Sequence, residues 1–170
     1  MFALRHLLAI AILPFTVAIL IPLRIAQRYA ISPEIGSSPG RVALQLAGVA
    51  LGAVGLVLFA ASLRRFASEG QGTLAPWDPP RKFVVSGPYR YVRNPMISGV
   101  ILVLFAEALV LGSRPHAVWA AAFLALNLIY IPFVEEPRLE QRFGDPYRDY
   151  CKHVRRILPR LRPWSGSHDR

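Results

Sequence analysis

The sequence predicts an all-α protein: a multi-pass membrane helical bundle of about four transmembrane helices, with short interfacial helices at its C-terminal end. Three observations lead there. Four apolar stretches, Leu7 to Leu23, Val42 to Leu63, Met96 to Gly112 and Ala117 to Val134, each come close to the roughly 20 residues that cross a hydrocarbon core. Charged residues make up only 18% of the 170, against about 25% in a soluble domain, and mean hydropathy is +0.37. The basic residues, finally, fall unevenly on alternate connections between the apolar stretches.

Taken in order, the first stretch follows Arg5, as a secretory signal would. It is long, holds Pro14 and Pro22, runs into Arg24 and Arg28, and lacks a small-residue cleavage pattern, so it reads as a retained span. In the second stretch Gly48, Gly52 and Gly55 recur at spacings of four and three, which lets a neighbouring helix approach closely in lipid. The loop from Arg64 to Asn94 passes through Gly70-Gln71-Gly72-Thr73 and Pro76-Trp77-Asp78-Pro79-Pro80 and cannot be one continuous helix. Beyond the fourth stretch, the tail 135–164 offers two short helices, Pro137 to Phe143 and Pro146 to Val154. Gly144 stops the first, and Asp145-Pro146 supplies an N-cap and an N1 proline for the second. Trp164 to Arg170 reads as a frayed polar end. All 170 residues fit a single integral membrane domain.

With four spans, the first end, the long loop and the tail share one side and hold sixteen Lys and Arg, whereas the opposite side holds four, Arg24, Arg28, Arg41 and Arg114. The positive-inside tendency therefore makes both termini and the loop cytoplasmic, in a cell (inner) membrane. A formal charge of +10 on an apolar, Arg-rich chain points to a lipid bilayer as partner and away from nucleic acid. The lone Cys151 excludes an internal disulfide, and His6, His116, His153 and His168 show no zinc-ligand spacing, so disulfide scaffolds and metal sites are both set aside. Nothing in the sequence fixes an oligomeric state.

Three polar features interrupt this apolar pattern. Arg93-Asn94-Pro95 stands just before the third span, where Asn is a good N-cap and Pro suits the first helical position. The helix end is then ready for an anion, and Arg90 and Arg93 add donor forks for a carboxylate or phosphate. An ordinary capped helix with arginines facing lipid headgroups fits the same residues. Glu135-Glu136-Pro137 closes the fourth span; such carboxylates suit a ribose diol or an ammonium, or else salt-bridge the nearby arginines. Glu107 lies 12 residues after Pro95, roughly 18 Å up the helix. It is either a functional carboxylate, with Asn127 as a possible partner, or an interhelical hydrogen-bonding residue. His116 and Trp119 read as interfacial anchors, and Tyr147, Tyr150 and Trp164 as aromatics that cover a ligand or sit among headgroups.

Gly87-Pro88-Tyr89-Arg90-Tyr91-Val92-Arg93-Asn94-Pro95-Met96, then Glu135-Glu136-Pro137-Arg138-Leu139, Phe143-Gly144-Asp145-Pro146-Tyr147-Arg148-Asp149-Tyr150 and Val154-Arg155-Arg156-Ile157-Leu158-Pro159 together resemble the isoprenylcysteine carboxyl methyltransferase and phospholipid methyltransferase group. The resemblance covers residues 83 to 164 in order and spacing; the first two spans match only as apolar helices. It implies an integral membrane methyltransferase that binds S-adenosylmethionine at the cytosolic face and takes a lipid-modified or amphipathic acceptor from the bilayer. By motif, the implied cofactor residues are Tyr89, Arg90, Arg93, Asn94, Pro95, Gly99, Glu135 and Glu136, with Tyr147 and Tyr150 nearby. Arg93 and Asn94 would position the reacting groups, and no metal is implied.

Two positions depart from that pattern: Asn94 stands where His is found, and Ile97 where Tyr is common. An amide can donate to a carboxylate but cannot carry a proton at neutral pH. Methylation of an ammonium nitrogen needs a base and methylation of a carboxylate does not, so the departure favours an ionised acceptor, as in carboxyl O-methylation. Three rivals stay open: methylation of an ethanolamine headgroup, a non-catalytic scaffold or transporter subunit that holds anionic lipid, and a membrane reductase that binds a nicotinamide cofactor.

Overall fold

The computed structural model describes residues 11–34, 36, 38–70 and 82–165. The first part of the Leu7 stretch, most of the proline-rich part of the long loop and the last five residues of the tail lie outside them. Among the described residues the fold is helical without a strand ladder: α1 (Ala11–Leu20, π-wound), α2 (Ile21–Arg28), α3 (Pro39–Glu69), α4 (Pro95–Leu111), α5 (Arg114–Tyr130), α6 (Glu136–Phe143) and α7 (Asp145–His153). By length and composition, Pro39–Glu69 and the continuous run Arg114–Phe143 can cross a membrane, whereas Pro95–Leu111 is shorter at 17 residues. The described chain forms two compact units, one of residues up to Val57 plus Gly99–Leu124, the other of Leu58–Ser98 plus residues from Ala125 on.

In the first unit the prolines of the opening segment set its winding. Pro22 has no N–H, and in a π-helix its missing partner would be the carbonyl of Val17, five residues back. The indole Nε1 of Trp119 donates to that oxygen at 3.1 Å. His116, 2% exposed, places Nε2 3.1 Å from the Pro22 carbonyl and Nδ1 2.7 Å from Ser113 Oγ. A carbonyl only accepts, so Nε2 carries the hydrogen and the serine hydroxyl donates to Nδ1. Trp119 thus ties α5 to a carbonyl that proline leaves without its helical donor, and His116, buried instead of lying at a surface, ties it to the Pro22 carbonyl. The glycine stripe does pack: a Cβ added at Gly55 would stand 2.8 Å from the Gly99 carbonyl, and one at Gly48 2.8 Å from Val110 Cγ2. Ser38 and Ser113 cap α3 and α5 through their hydroxyls, which accept from Arg41 N at 3.3 Å and His116 N at 3.4 Å.

In the second unit α3 runs on past Leu63 to Glu69 instead of giving way to loop. Residues 64–69 are good helix formers, Arg65 pairs with Glu69 at 3.1 Å, and Phe66 is buried against Val84 and Tyr89. Another correction concerns the fourth stretch. It does not end at Val134 but continues through a π-wound turn, Ile131–Glu135, straight into α6, because Pro132 and Pro137 remove donors from the α ladder without forcing the chain out of a helix. Gly144, at φ 60°, stops α6. The helix that follows begins one residue early: Asp145 is already inside α7, and its carboxylate accepts from Arg148 at 2.8 Å instead of capping. After α7 the chain extends as a strap along residues 90–98. It is pinned by Arg93 N to Arg155 O at 2.8 Å, Arg160 N to Tyr91 O at 2.9 Å and Trp164 N to Arg90 O at 2.9 Å.

Candidate functional site

Polar residues singled out in the sequence collect in the second unit, around the turn that enters α4. The 3₁₀ turn Gly87–Arg90 brings Tyr89 inward, and the following residues, with Val92 wholly buried, carry the chain to Pro95. Arg93 and Glu136 approach each other from segments some forty residues apart, with Nη1 2.9 Å from Oε1 and side chains 13% and 15% exposed. The same Arg93 Nη1 donates to Cys151 Sγ at 2.9 Å. Arg156 closes on Glu136 with a two-pronged contact, Nε to Oε1 and Nη2 to Oε2, both 2.8 Å. Such a fork matches the carboxylate plane, and in a half-buried setting each charge depends on the others for its solvation.

Asn94 is at the mouth of α4, and its carbonyl accepts the first turn's bond from Ser98 N at 2.9 Å. Its side chain does not cap the helix. Nδ2 donates to the Arg156 carbonyl at 3.2 Å, and the Asn94 backbone N–H reaches the same oxygen at 3.2 Å. Arg90 is likewise committed, its Nε donating to the Trp164 carbonyl at 2.7 Å. The Tyr150 hydroxyl is spent on the Tyr89 carbonyl at 2.6 Å. Tyr147 and Tyr150 form an aromatic core with Phe83, Phe143 and Trp164; the Phe83 and Tyr150 rings, for example, lie 5.2 Å apart. Both tyrosines pack in that core. Pro95 is fully buried at the helix start. Gly99 belongs to the first unit, where its carbonyl faces Gly55.

What remains unpaired defines the site. The Tyr89 hydroxyl and Arg93 Nε are buried without a hydrogen-bond partner among the described residues. Burial first, and then the charges of Tyr150 and Glu135, push the Tyr89 phenol above its ordinary range, so it stays a neutral donor. Glu135, partly buried, makes no hydrogen bond or ion pair to a described residue, in contrast to the saturated Glu136 beside it. With Arg160 Nη1, three buried donors in this unit are thus left without a partner among the described residues, and Glu135 is an open carboxylate beside the closed Arg93–Glu136–Arg156 network. A buried donor left unmade costs about 1–3 kcal/mol, which a ligand with a matching acceptor recovers.

Sequence reasoning missed Arg156 as a member of this network. Its signal, the Val154 to Pro159 motif, was visible, but its pairing with Glu136 and Asn94 depends on the strap. Glu107 lies in the first unit, its Oε2 buried without a hydrogen-bond partner among the described residues, and Asn127, buried and with an interaction of its own, belongs to the second.

Part of the chain, including the turn into α4 and the glutamate pair, is similar to known proteins. The family model for phospholipid methyltransferases matches residues 44–146. Phosphatidylethanolamine N-methyltransferase of Botryotinia fuckeliana is 32% identical over 95 residues, which cover 52% of the chain and 9% of that protein. Methanethiol S-methyltransferase of Pseudomonas deceptionensis is 37% identical over 84 residues, covering 48% of the chain and 30% of that protein. The enzyme of the same name from Mycobacterium tuberculosis is 31% identical over 80 residues, again 30% of its length. The chain therefore spans less than a third of the length of these relatives.

Proposed function

The chain belongs to the phospholipid methyltransferase family, and on that premise we propose that it transfers a methyl group from S-adenosylmethionine to a lipid-associated acceptor at the cytoplasmic face of the cell (inner) membrane. The acceptor group in this reading is a carboxylate, methylated on oxygen as in isoprenylcysteine carboxyl methyltransferases. Four spans, with both termini cytoplasmic, complete it. The observation that supports the reading best is the set of unsatisfied groups around Tyr89.

Those groups fit the cofactor. Tyr89 Oη and Arg93 Nε are donors for its carboxylate, and Glu135 is an acceptor for its ammonium or ribose hydroxyls. When bound, S-adenosylmethionine supplies a methyl group already activated on a sulfonium sulfur. The task left to the protein is to hold acceptor and donor in line and to keep water out. Arg93, fixed by Glu136, holds its position without having to be ordered on binding. Asn94 cannot take a proton, which suits an acceptor that is ionised before it arrives. A phospholipid amine is the second reading, favoured by the names of two curated relatives, the fungal enzymes of Botryotinia fuckeliana and Pyricularia oryzae, and by the open Glu135 carboxylate, which suits a cation.

The test uses purified protein in nanodiscs with methyl-labelled S-adenosylmethionine and, separately, a farnesylated cysteine carboxylate or phosphatidylethanolamine. Label on the first, released as methanol by alkali, is the expected result. Alkali-stable label on the second establishes the amine reading. The cofactor at 100 times its Kd should add about 2.7 kcal/mol to stability; absence of both transfer and stabilisation overturns the proposal.

A further inference from the structure

We propose that Arg156 is a positioning residue of the methyl-transfer site, one that sets the division of labour within the Glu135-Glu136 pair; the inference rests on the function proposed above. Its guanidinium occupies both oxygens of Glu136, Nε to Oε1 and Nη2 to Oε2 at 2.8 Å, while Arg93 Nη1 takes a second position on Oε1 at 2.9 Å. A carboxylate offers about four acceptor positions, so Glu136 keeps little capacity for a ligand. Glu135 keeps all of its own.

The backbone of Arg156 acts at the same time. Its carbonyl accepts from both the main-chain N–H and the side-chain amide of Asn94, each at 3.2 Å. On either side of it, Arg155 O accepts from Arg93 N at 2.8 Å and Ile157 O from Ser98 Oγ at 3.0 Å. One residue thus locks the orientation of the Asn94 amide, the position of Arg93 through Glu136, and the head of α6. None of these contacts places Arg156 on reacting atoms. Its effect passes through Glu136 and Asn94, and it fixes in advance a site that would otherwise have to order when ligand arrives. Lysine cannot replace it fully, since a single ammonium does not reproduce the planar fork.

The experiment measures S-adenosylhomocysteine binding by calorimetry and ligand-free melting for the full chain in nanodiscs, in wild type, Arg156→Ala, Arg156→Lys, Glu136→Gln, the Arg156→Ala/Glu136→Gln double variant and the exposed control Arg162→Ala. Arg156→Ala is expected to raise Kd at least tenfold and Arg156→Lys at least threefold, with Arg162→Ala within twofold of wild type. The double variant should bind no more than twofold more weakly than Arg156→Ala, because the arginine acts through that glutamate. Should Arg156→Ala fail to fold, the lysine variant decides by the same threshold. Melting shifts without a change in Kd in either variant would reduce Arg156 to a purely structural role and overturn the proposal. Wild-type protein that does not bind S-adenosylhomocysteine overturns the proposed function itself, and this role with it.

Discussion

Tyr89 shows how a single residue joins stability to binding. Its hydroxyl is buried, held neutral and without a partner among the described residues, so Tyr89→Phe would remove a liability of the ligand-free fold and, in the proposed site, a donor to the cofactor. The expected outcome is ligand-free stability equal to or slightly above wild type, with S-adenosylhomocysteine affinity reduced about tenfold, in line with one hydrogen bond to a charged group. The two readouts should move in opposite directions. pH sharpens the point: the folded phenol titrates above its unfolded value near 10, so the protonated fold is fully supported below pH 10 and loses that support as pH rises. That loss grows above pH 10, and thermal melts at pH 9 and pH 11 should show a smaller drop for Tyr89→Phe than for wild type. Sequence reading picked out Arg93, Asn94 and the glutamate pair because polar residues at the ends of apolar helices stand out, and Tyr89 only through the family resemblance. It could not tell which glutamate was already taken, since the partner that takes Glu136, Arg156, comes twenty residues later through a strap whose path no local pattern specifies.

Among the elements, the apolar period was legible to within a residue or two for α4, and the break at Gly144 followed from turn chemistry. Two helix ends were not. Residues 64–69 continue α3 because a tertiary contact, Phe66 against Val84 and Tyr89, outweighs the basic pair that suggested a loop. The run into α6 persists because two prolines five residues apart are absorbed by π-winding. The glycine stripe on α3 was readable as a packing feature, and its geometry fixes a magnitude. A methyl at Gly55 would meet the Gly99 backbone carbonyl at 2.8 Å, a contact no side-chain rotation relieves. Gly55→Ala should therefore destabilise the protein by about 1–3 kcal/mol in detergent melts. Gly40→Ala, whose added Cβ meets nothing within 4 Å, should be neutral or gain up to about 1 kcal/mol from helix propensity.

For the whole molecule, the four-span reading puts sixteen basic residues on one side and four on the other, and the orientation proposed from that asymmetry would let an acceptor in the bilayer meet a cytosolic cofactor. Four exposed basic positions, Arg28, Lys82, Arg114 and Lys152, alternate in the four-span reading between outside, inside, outside and inside. Replaced one at a time by cysteine in a Cys151→Ser background, Arg28→Cys and Arg114→Cys should react with an impermeant maleimide in right-side-out vesicles, and Lys82→Cys and Lys152→Cys only in inverted ones. The Lys82 and Arg114 pair is the demanding part of the test, because α4 between them has only 17 residues, about 25 Å of helix at 1.5 Å per residue against a hydrocarbon core of about 30 Å. A helix that short spans only if the bilayer thins around it or its ends draw in the interface, at a cost of fractions of a kcal/mol per Å. Labelling of both positions from one side would make α4 a re-entrant element and leave an odd number of crossings between the termini. Labelling from opposite sides would set the Arg93–Glu136–Arg156 network and the long basic loop together on the cytoplasmic surface, where a soluble methyl donor and a membrane-bound acceptor can meet.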